Sequence, residues 1–190
     1  MIPSKLSLGD RYSEIAVALL TLVALLAGWL TMRGVESRSL PFEADGVSAS
    51  VPSGWIQSEP GGDVILQARE RASSGFQTNY TITRQLTSAD GGQNEAVSLL
   101  TLQYGQELTA FRVLGQQAVS VGGREALEVV YAYVESDPNV SHAGLPVVVR
   151  GADYIFLTDQ GAIIVSYRAS EAEYEGGLSA FRRFLNSIQF

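Results

Sequence analysis

The N-terminal part of the chain is dominated by one long apolar run. Residues 15–32, IAVALLTLVALLAGWLTM, are 18 residues without a charged side chain. At about 1.5 Å per residue, a helix of this length spans roughly 27 Å, close to the hydrocarbon thickness of a bilayer. Glu14 and Arg33 bound the run, and Trp29 lies near its end, where an indole ring favours the lipid headgroups. The run predicts a single uncleaved transmembrane helix behind an N-terminal tail, residues 1–14.

After a polar linker over residues 33–41, apolar residues recur at every second position, which is the period of a half-buried strand. This period predicts strands over residues 42–51, 64–68, 76–86, 111–121, 125–135, 147–157 and 162–168. Short turn sequences such as Gly122-Gly123 separate several of them, and a two-residue turn of this kind joins antiparallel strands. We therefore expect about six or seven mostly antiparallel strands in one domain, residues 42–190.

Two segments instead repeat apolar residues at spacings of three and four, as amphipathic helices do. The first covers residues 94–108, with a stripe formed by Val97, Leu100, Tyr104 and Leu108. The second follows a capping box, Ser170 and Glu173, and its stripe consists of Tyr174, Leu178, Phe181, Leu185 and Ile188. Two helices that cover such a sheet predict an α+β fold, an α-β-α sandwich with a central antiparallel sheet behind the transmembrane helix.

Composition narrows the possible functions. The chain has 190 residues, 46% of them apolar, and a formal net charge of −7, which together exclude a disordered chain and argue against nucleic-acid binding. It has no cysteine and one histidine, which excludes disulfides, thiolate metal sites and multi-histidine sites.

Charge also bears on membrane orientation. From Gly34 onward the chain carries 10 arginines and 18 acidic residues, so an anionic leaflet would repel the domain. Basic residues are nearly balanced on the two sides of residues 15–32, with a slight excess that favours a cytoplasmic N-terminus. We expect a single-pass protein of the inner (cytoplasmic) membrane with its C-terminal domain outside the cytoplasm, in a periplasmic position.

Both ends of the domain resemble the PsbP/Mog1-like family. At the start, Val51-Pro52-Ser53-Gly54-Trp55 opens a sheet, as it does in that family. At the end, the run 153–158 (DYIFLT) precedes Gly161, a strand and a helix that finishes in residues 184–190 (FLNSIQF). The resemblance covers residues 42–190. It implies an α-β-α sandwich and non-catalytic roles as accessory or assembly factors of membrane complexes, notably photosynthetic ones. Metal-binding residues proposed in some relatives have no match here.

Candidate chemistry is sparse. His142 lies in a turn-rich loop, residues 137–146, five residues after Asp137. It could act as an acid–base group or a single metal ligand, but a solvated loop histidine explains it more simply. No G-x-S-x-G motif presents a nucleophilic serine.

Carboxylates give no clearer site. Glu171, Glu173 and Glu175 crowd the first turn of the last helix, either as a cation site or as charges that complement the helix dipole. The second interpretation needs no ligand. The sequence therefore assigns no catalytic, cofactor-binding or metal-binding residue, and no cofactor.

Two main functions remain open. The first is a non-catalytic, membrane-anchored accessory subunit of a bacterial energy-transducing complex, photosynthetic or respiratory, such as an alternative complex III-like assembly. Its partners would be integral-membrane and extracytoplasmic subunits and the lipid bilayer, with no nucleic acid. The alternative is a membrane-tethered module that binds a ligand or peptide in a pocket lined by aromatic residues such as Trp55, Tyr131 and Tyr133. A third hypothesis, an enzyme that uses His142 and Asp137, has less support, and we expect no enzymatic activity.

Overall fold

The computed structural model describes residues 16–29, 39–71, 76–87, 92–136 and 145–190. The chain divides into two compact units, Met1–Ser39 and Leu40–Phe190. In the first unit, residues 16–29 form a helix, α1, whose side chains are exposed. Among the described residues, no helix has both the length and the apolar character that a membrane crossing requires.

The second unit is built around one large sheet. The described strands are β1 (Ser39–Ala44), β2 (Val47–Pro52), β3 (Ile56–Ser58), β4 (Val64–Arg69), β5 (Asn79–Gln85), β6 (Thr109–Val121), β7 (Arg124–Glu135), β8 (Val147–Thr158) and β9 (Gly161–Ser170), and the helices are α2 (Gly92–Glu107) and α3 (Glu171–Ser187). Seven strands form the large sheet in the order β3-β4-β5-β9-β8-β7-β6, and each neighbouring pair is antiparallel. β1 and β2 pair separately.

The two helices cover opposite faces of the large sheet. α2 connects β5, which lies beside the central pair β9-β8, to β6, which lies at the far edge of the sheet. It therefore crosses one face of the sheet, where it packs on β6 and β8. α3 packs on β8, β9 and β2 on the other face. The predicted α+β arrangement with a central antiparallel sheet is therefore confirmed.

The prediction of a continuous strand over residues 42–51 was wrong. Asp45 and Gly46 reverse the chain between β1 and β2, with φ angles of 49° and 74°. An Asp-Gly pair suits a tight two-residue turn because both positions need positive φ. The hairpin is fastened to the C-terminal end of the chain: the Ser50 amide donates to Ser187 Oγ at 2.9 Å, and Ser48 exchanges backbone hydrogen bonds with Gln189. The short strand β3 was also not predicted.

Both predicted helices form, with different ends and a different cap. α2 begins at Gly92 rather than at Asn94. At the start of α3, Ser170 Oγ donates to Glu173 Oε2 at 3.0 Å and makes no cap bond to the backbone, so the reciprocal capping box is not formed. The predicted stripe of α3 does face the sheet, since every member is buried except the partly buried Leu178.

Two separate cores result from this layering. The α3-side core lies between the large sheet, the β1-β2 hairpin and α3, and its largest buried side chains are Tyr80, Phe156, Tyr167, Phe181 and Phe184. The α2-side core lies between the sheet and α2, and includes Leu100, Tyr104, Val129, Tyr131, Ile155 and Ile164.

Candidate functional site

Polar side chains are concentrated in the α2-side core. In β8 and β9, Asp153 and Ser166 are buried and lie directly opposite each other across the strands. Two residues before Asp153 in β8, Gly151 lies between Tyr131 of β7 and Arg168 of β9. We call Asp153, Ser166, Arg168, Tyr104 and Tyr131 the polar cluster.

Hydrogen bonds connect this cluster into a chain. Arg168 donates from Nε to the Tyr131 hydroxyl at 3.0 Å and from Nη2 to the Tyr104 hydroxyl at 2.8 Å. The Tyr131 hydroxyl in turn donates to Asp153 Oδ1 at 3.2 Å. The Arg168 guanidinium also lies 5.0 Å from the Tyr104 ring centre, within reach of a cation–π interaction. Because Tyr104 belongs to α2, the cluster fixes the position of that helix on the sheet.

Gly151 is the residue that makes this arrangement possible. A Cβ atom at position 151 would lie 2.3 Å from Cζ of Tyr131, far inside van der Waals contact. The Tyr131 ring therefore lies across β8 in space that any other residue would fill. A glycine in the interior of a strand often marks such a close approach.

Burial dominates the electrostatics of the cluster. It raises the pKa of the Asp153 carboxyl, an effect that the Arg168 charge opposes. It also raises the pKa of Tyr104 and of Tyr131, so both phenols stay protonated well above neutral pH. Among the described residues, Asp153 Oδ2 has no hydrogen-bond partner. The protonated tyrosines and the fully enclosed Asp153 carboxyl thus link α2 to the sheet.

A shallow cleft of about 320 Å³ opens on the other face of the sheet, beside β6. Its charged walls are Glu128 and Arg150, and its floor includes Gly115 and Val130. Glu128 accepts hydrogen bonds from Gln117 and from the Tyr154 hydroxyl. Both charged walls are thus engaged within the protein, because Arg150 has partners on α3.

Those partners are the acidic residues of the α3 first turn. Arg150 Nη1 lies 3.3 Å from Glu175 and 3.7 Å from Glu171, and its guanidinium stacks 4.5 Å from the Tyr174 ring centre. Glu173 binds Ser170 instead. The acidic group seen in the sequence therefore serves an internal ion pair, and the described residues contain no group of three or more potential metal ligands.

α2 presents an unusual surface on the side that faces away from the sheet. Between Glu95 and Glu107 the helix carries no charged residue, and Leu99 and Leu102 are 41% and 62% exposed. A shallow groove of about 630 Å³ runs along this side, lined by Val97, Ser98, Thr101, Leu102, Gly105 and Gln106. We call this surface the α2 outer face. Contiguous exposed apolar surface of this kind is typical of interaction sites.

The structure separates the residues that the sequence proposed for a binding pocket. Trp55 packs on the α3-side core, with its ring centre 4.3 Å from that of Tyr80. Tyr131 and Tyr133 lie in the α2-side core, on the opposite face of the sheet. The three rings therefore line no common pocket. His142 and Asp137, proposed for an enzyme, lie outside the described residues.

The polar cluster was missed by sequence reasoning, although one signal was present. Asp153 and Arg168 occupy inward-facing positions in strands whose other inward positions are mainly apolar. Charged residues are almost never fully buried unless they are paired, so two such positions in neighbouring strands indicate a buried pair. The antiparallel pairing of β8 with β9 brings these two positions onto neighbouring strands.

Comparisons with known proteins bear on the fold. No protein-family model matches the chain, and no curated protein matches it in sequence. Cyanobacterial PsbP (CyanoP) from Synechocystis has a TM-score of 0.51 at 14% identity, over 82% of this chain and 95% of that protein. The Ran-binding protein Mog1p of Saccharomyces cerevisiae has a TM-score of 0.50 at 13% identity, over 80% and 94%. LpqN of Mycobacterium tuberculosis, involved in cell envelope biogenesis, has a TM-score of 0.50 at 13% identity, over 80% of this chain and 89% of that protein. The chain has a PsbP/Mog1-like α+β fold.

Proposed function

We propose that this chain is a non-catalytic, membrane-anchored accessory subunit of a larger electron-transfer complex, photosynthetic or respiratory. The observation that carries the proposal is the α2 outer face. A helix on the surface of a monomeric domain ordinarily has charged residues on its solvent side. α2 instead exposes Leu99 and Leu102, and Leu102 lines a groove without a charged lining residue, a surface suited to being covered by another subunit.

The polar cluster supports this use of α2. A docking surface is effective when it is held in one geometry before binding, because less conformational freedom is then lost. Arg168 donates to both Tyr131 and Tyr104, and so joins Tyr104, a residue of α2, to the sheet. The inner side of α2 is thus bonded to the sheet, and its outer face carries no charged residue between Glu95 and Glu107. A docking helix needs this arrangement.

The membrane anchor belongs to the same proposal. It rests on the sequence alone: residues 15–32, of which the structure describes 16–29, have the apolar length of one crossing, and a crossing there would hold the domain close to membrane subunits. The acidic domain would then lie outside the cytoplasm, with the N-terminus inside. The fold shared with cyanobacterial PsbP is the reason for choosing an electron-transfer complex among membrane assemblies.

The test is affinity purification from membranes of the native host in a mild detergent, through a C-terminal tag. We expect stoichiometric integral-membrane subunits that carry haem, quinone or pigment, identified by absorbance spectra and mass spectrometry. The variant Leu102→Glu places a charge on the α2 outer face and should release those subunits. Its matched control is Leu86→Glu, which alters an equally apolar residue that is 79% exposed and follows β5, outside the α2 outer face.

The affinity purification has three outcomes with different meanings. Retention of the cofactor-bearing subunits by wild type and Leu86→Glu, together with their loss from Leu102→Glu, supports the proposal. Recovery of the wild-type chain without any such subunit contradicts it. Equal retention by Leu102→Glu would mean that another surface makes the contact.

A further inference from the structure

The two edges of the large sheet are built very differently. β3 forms one edge with three residues and is followed by Glu59 and Pro60, a short strand with a proline nearby. β6 forms the other edge with 13 residues. Among the described residues, β6 pairs only with β7, so the outward-facing half of its backbone has no strand partner. Unpaired N–H and C=O groups in a row bind another strand readily.

From Gly115 to Val121, β6 lacks most of the features by which proteins protect a sheet edge, and the two irregularities in its pairing with β7 lie between Thr109 and Gly115. Natural edge strands carry lysine, proline or inward charges, or lie under a helix or loop. Between Val113 and Val121 β6 has neither a charged residue nor a proline, and nearly every residue of the strand is exposed. The exposed side chains include Val113 and Leu114, at 44% and 56%. A strand of this kind is open to pairing.

We infer that β6 pairs antiparallel with β6 of a second copy of this chain, which joins two sheets across a twofold axis. Antiparallel pairing of an edge strand with its own copy is an isologous contact, so donors and acceptors match by symmetry and the assembly closes as a dimer. The uncharged residues 113–121 favour a second copy as the partner, since pairing of this stretch with itself brings no like charges together. The strand's one charge, Arg112, lies near its start, so the two copies of Arg112 are kept at opposite ends.

The side chains favour one register, with Gln117 on the twofold axis. Gln117 would then face Gln117 of the second copy, and amide side chains can hydrogen-bond to each other. Gly115 would face Val119, and a Cβ at position 115 would meet no atom within 4 Å, so open space lies there for the valine. On the other face of the strand, Gln116 would face Ala118. Every cross-strand pair is neutral in this register.

The chain contains no cysteine, which allows a direct test by single-cysteine cross-linking. Directly opposed residues in an antiparallel pair lie about 4.5–5.5 Å apart at Cα, within the range a disulfide can bridge. Full-length Gln117→Cys, purified in mild detergent and oxidised gently, should form a disulfide-linked dimer. Gln116→Cys should cross-link several-fold less, because its own copy lies diagonally across the pair. Ser58→Cys, on the opposite edge, is the control and should remain monomeric on a non-reducing gel.

A second variant guards against a cross-link formed by chance collisions. Gln116→Lys with Ala118→Lys places lysines opposite each other in this register, and like charges directly opposed destabilise a strand pair. Light scattering should give a dimer mass for the wild type and a monomer mass for the double variant, with unchanged circular dichroism. A monomeric wild type, or a dimer that survives the two lysines, overturns the inference. The variants leave the α2 outer face intact, so this result is independent of the proposed accessory role.

Discussion

The two faces of the large sheet both contain packed aromatic rings, and they differ in how far hydrogen bonds join the helix to the sheet. On the α3 side, aromatic rings pack on one another: Tyr167 and Phe181 are stacked at 4.9 Å, and Tyr80 contacts Phe181 and Phe184 at 5.2 and 4.8 Å. On the α2 side, the contacts between helix and sheet include the directional bonds of Arg168. Apolar packing gives stability without strict direction, whereas hydrogen bonds fix geometry. We expect the larger α3-side core to supply more of the stability, and the hydrogen bonds on the α2 side to set the position of α2.

Removal of a large ring from the α3-side core should have the largest effect on stability. Phe181 is fully buried, so Phe181→Ala should lower the free energy of unfolding by about 3–5 kcal/mol. Phe111→Ala is the matched change on the α2 side, where the ring is only partly buried, and should cost clearly less. Urea unfolding followed by circular dichroism measures both. Equal losses would contradict the proposed difference between the faces.

Breaking the link between Asp153 and Arg168 through Tyr131 should be the next most damaging change, for a different reason. Asp153→Ala removes the acceptor of the Tyr131 hydrogen bond and the negative charge near Arg168, and leaving a buried polar group unsatisfied costs about 1–3 kcal/mol, more where the group is charged. The double variant Asp153→Ala with Arg168→Met removes both charges and should recover part of the loss. A double-mutant cycle from urea unfolding gives the coupling energy. Strictly additive losses would mean that the two residues do not interact.

Gly151→Ala should have an intermediate effect. The new methyl group would lie 2.3 Å from Tyr131 Cζ and force the ring away from Arg168, at a cost of about 1–3 kcal/mol. Gly115→Ala is the control, because its methyl group would meet no atom within 4 Å. Thermal unfolding of the two variants compares them directly. A loss of stability in Gly115→Ala as large as in Gly151→Ala would show that crowding against Tyr131 is not the cause.

The smallest expected effect concerns pH. The folded-state pKa of Asp153 is raised by burial above its ordinary value, so the folded protein holds a proton that the unfolded chain releases. Stability therefore falls as pH rises from the unfolded value, about 3.9, through the folded one. Relative to Asp153→Asn, the wild type should lose unfolding free energy over that window and then level off. A constant difference between the two proteins across that range would show that the Asp153 pKa is not raised.

Local patterns predicted the α3 side better than the α2 side. The spacing of Tyr174, Phe181 and Leu185 depends only on helical periodicity, and all three are buried as expected. The Asp45-Gly46 turn was a local signal that the alternating pattern on both sides concealed. The polar cluster depends on register among three strands and on a helix distant in sequence. No single stretch of the sequence therefore predicts the contact among Tyr104, Tyr131 and Arg168.

The sharpest test of the docking role is hydrogen–deuterium exchange on the full chain, measured alone in detergent and again within the membrane complex purified from the host. The docking of a partner subunit on the α2 outer face should slow exchange along residues 92–107, while α3, residues 171–187, keeps the same rates in both samples. Unchanged exchange along α2, or protection gained on α3 instead, would contradict the proposal that α2 is the docking helix.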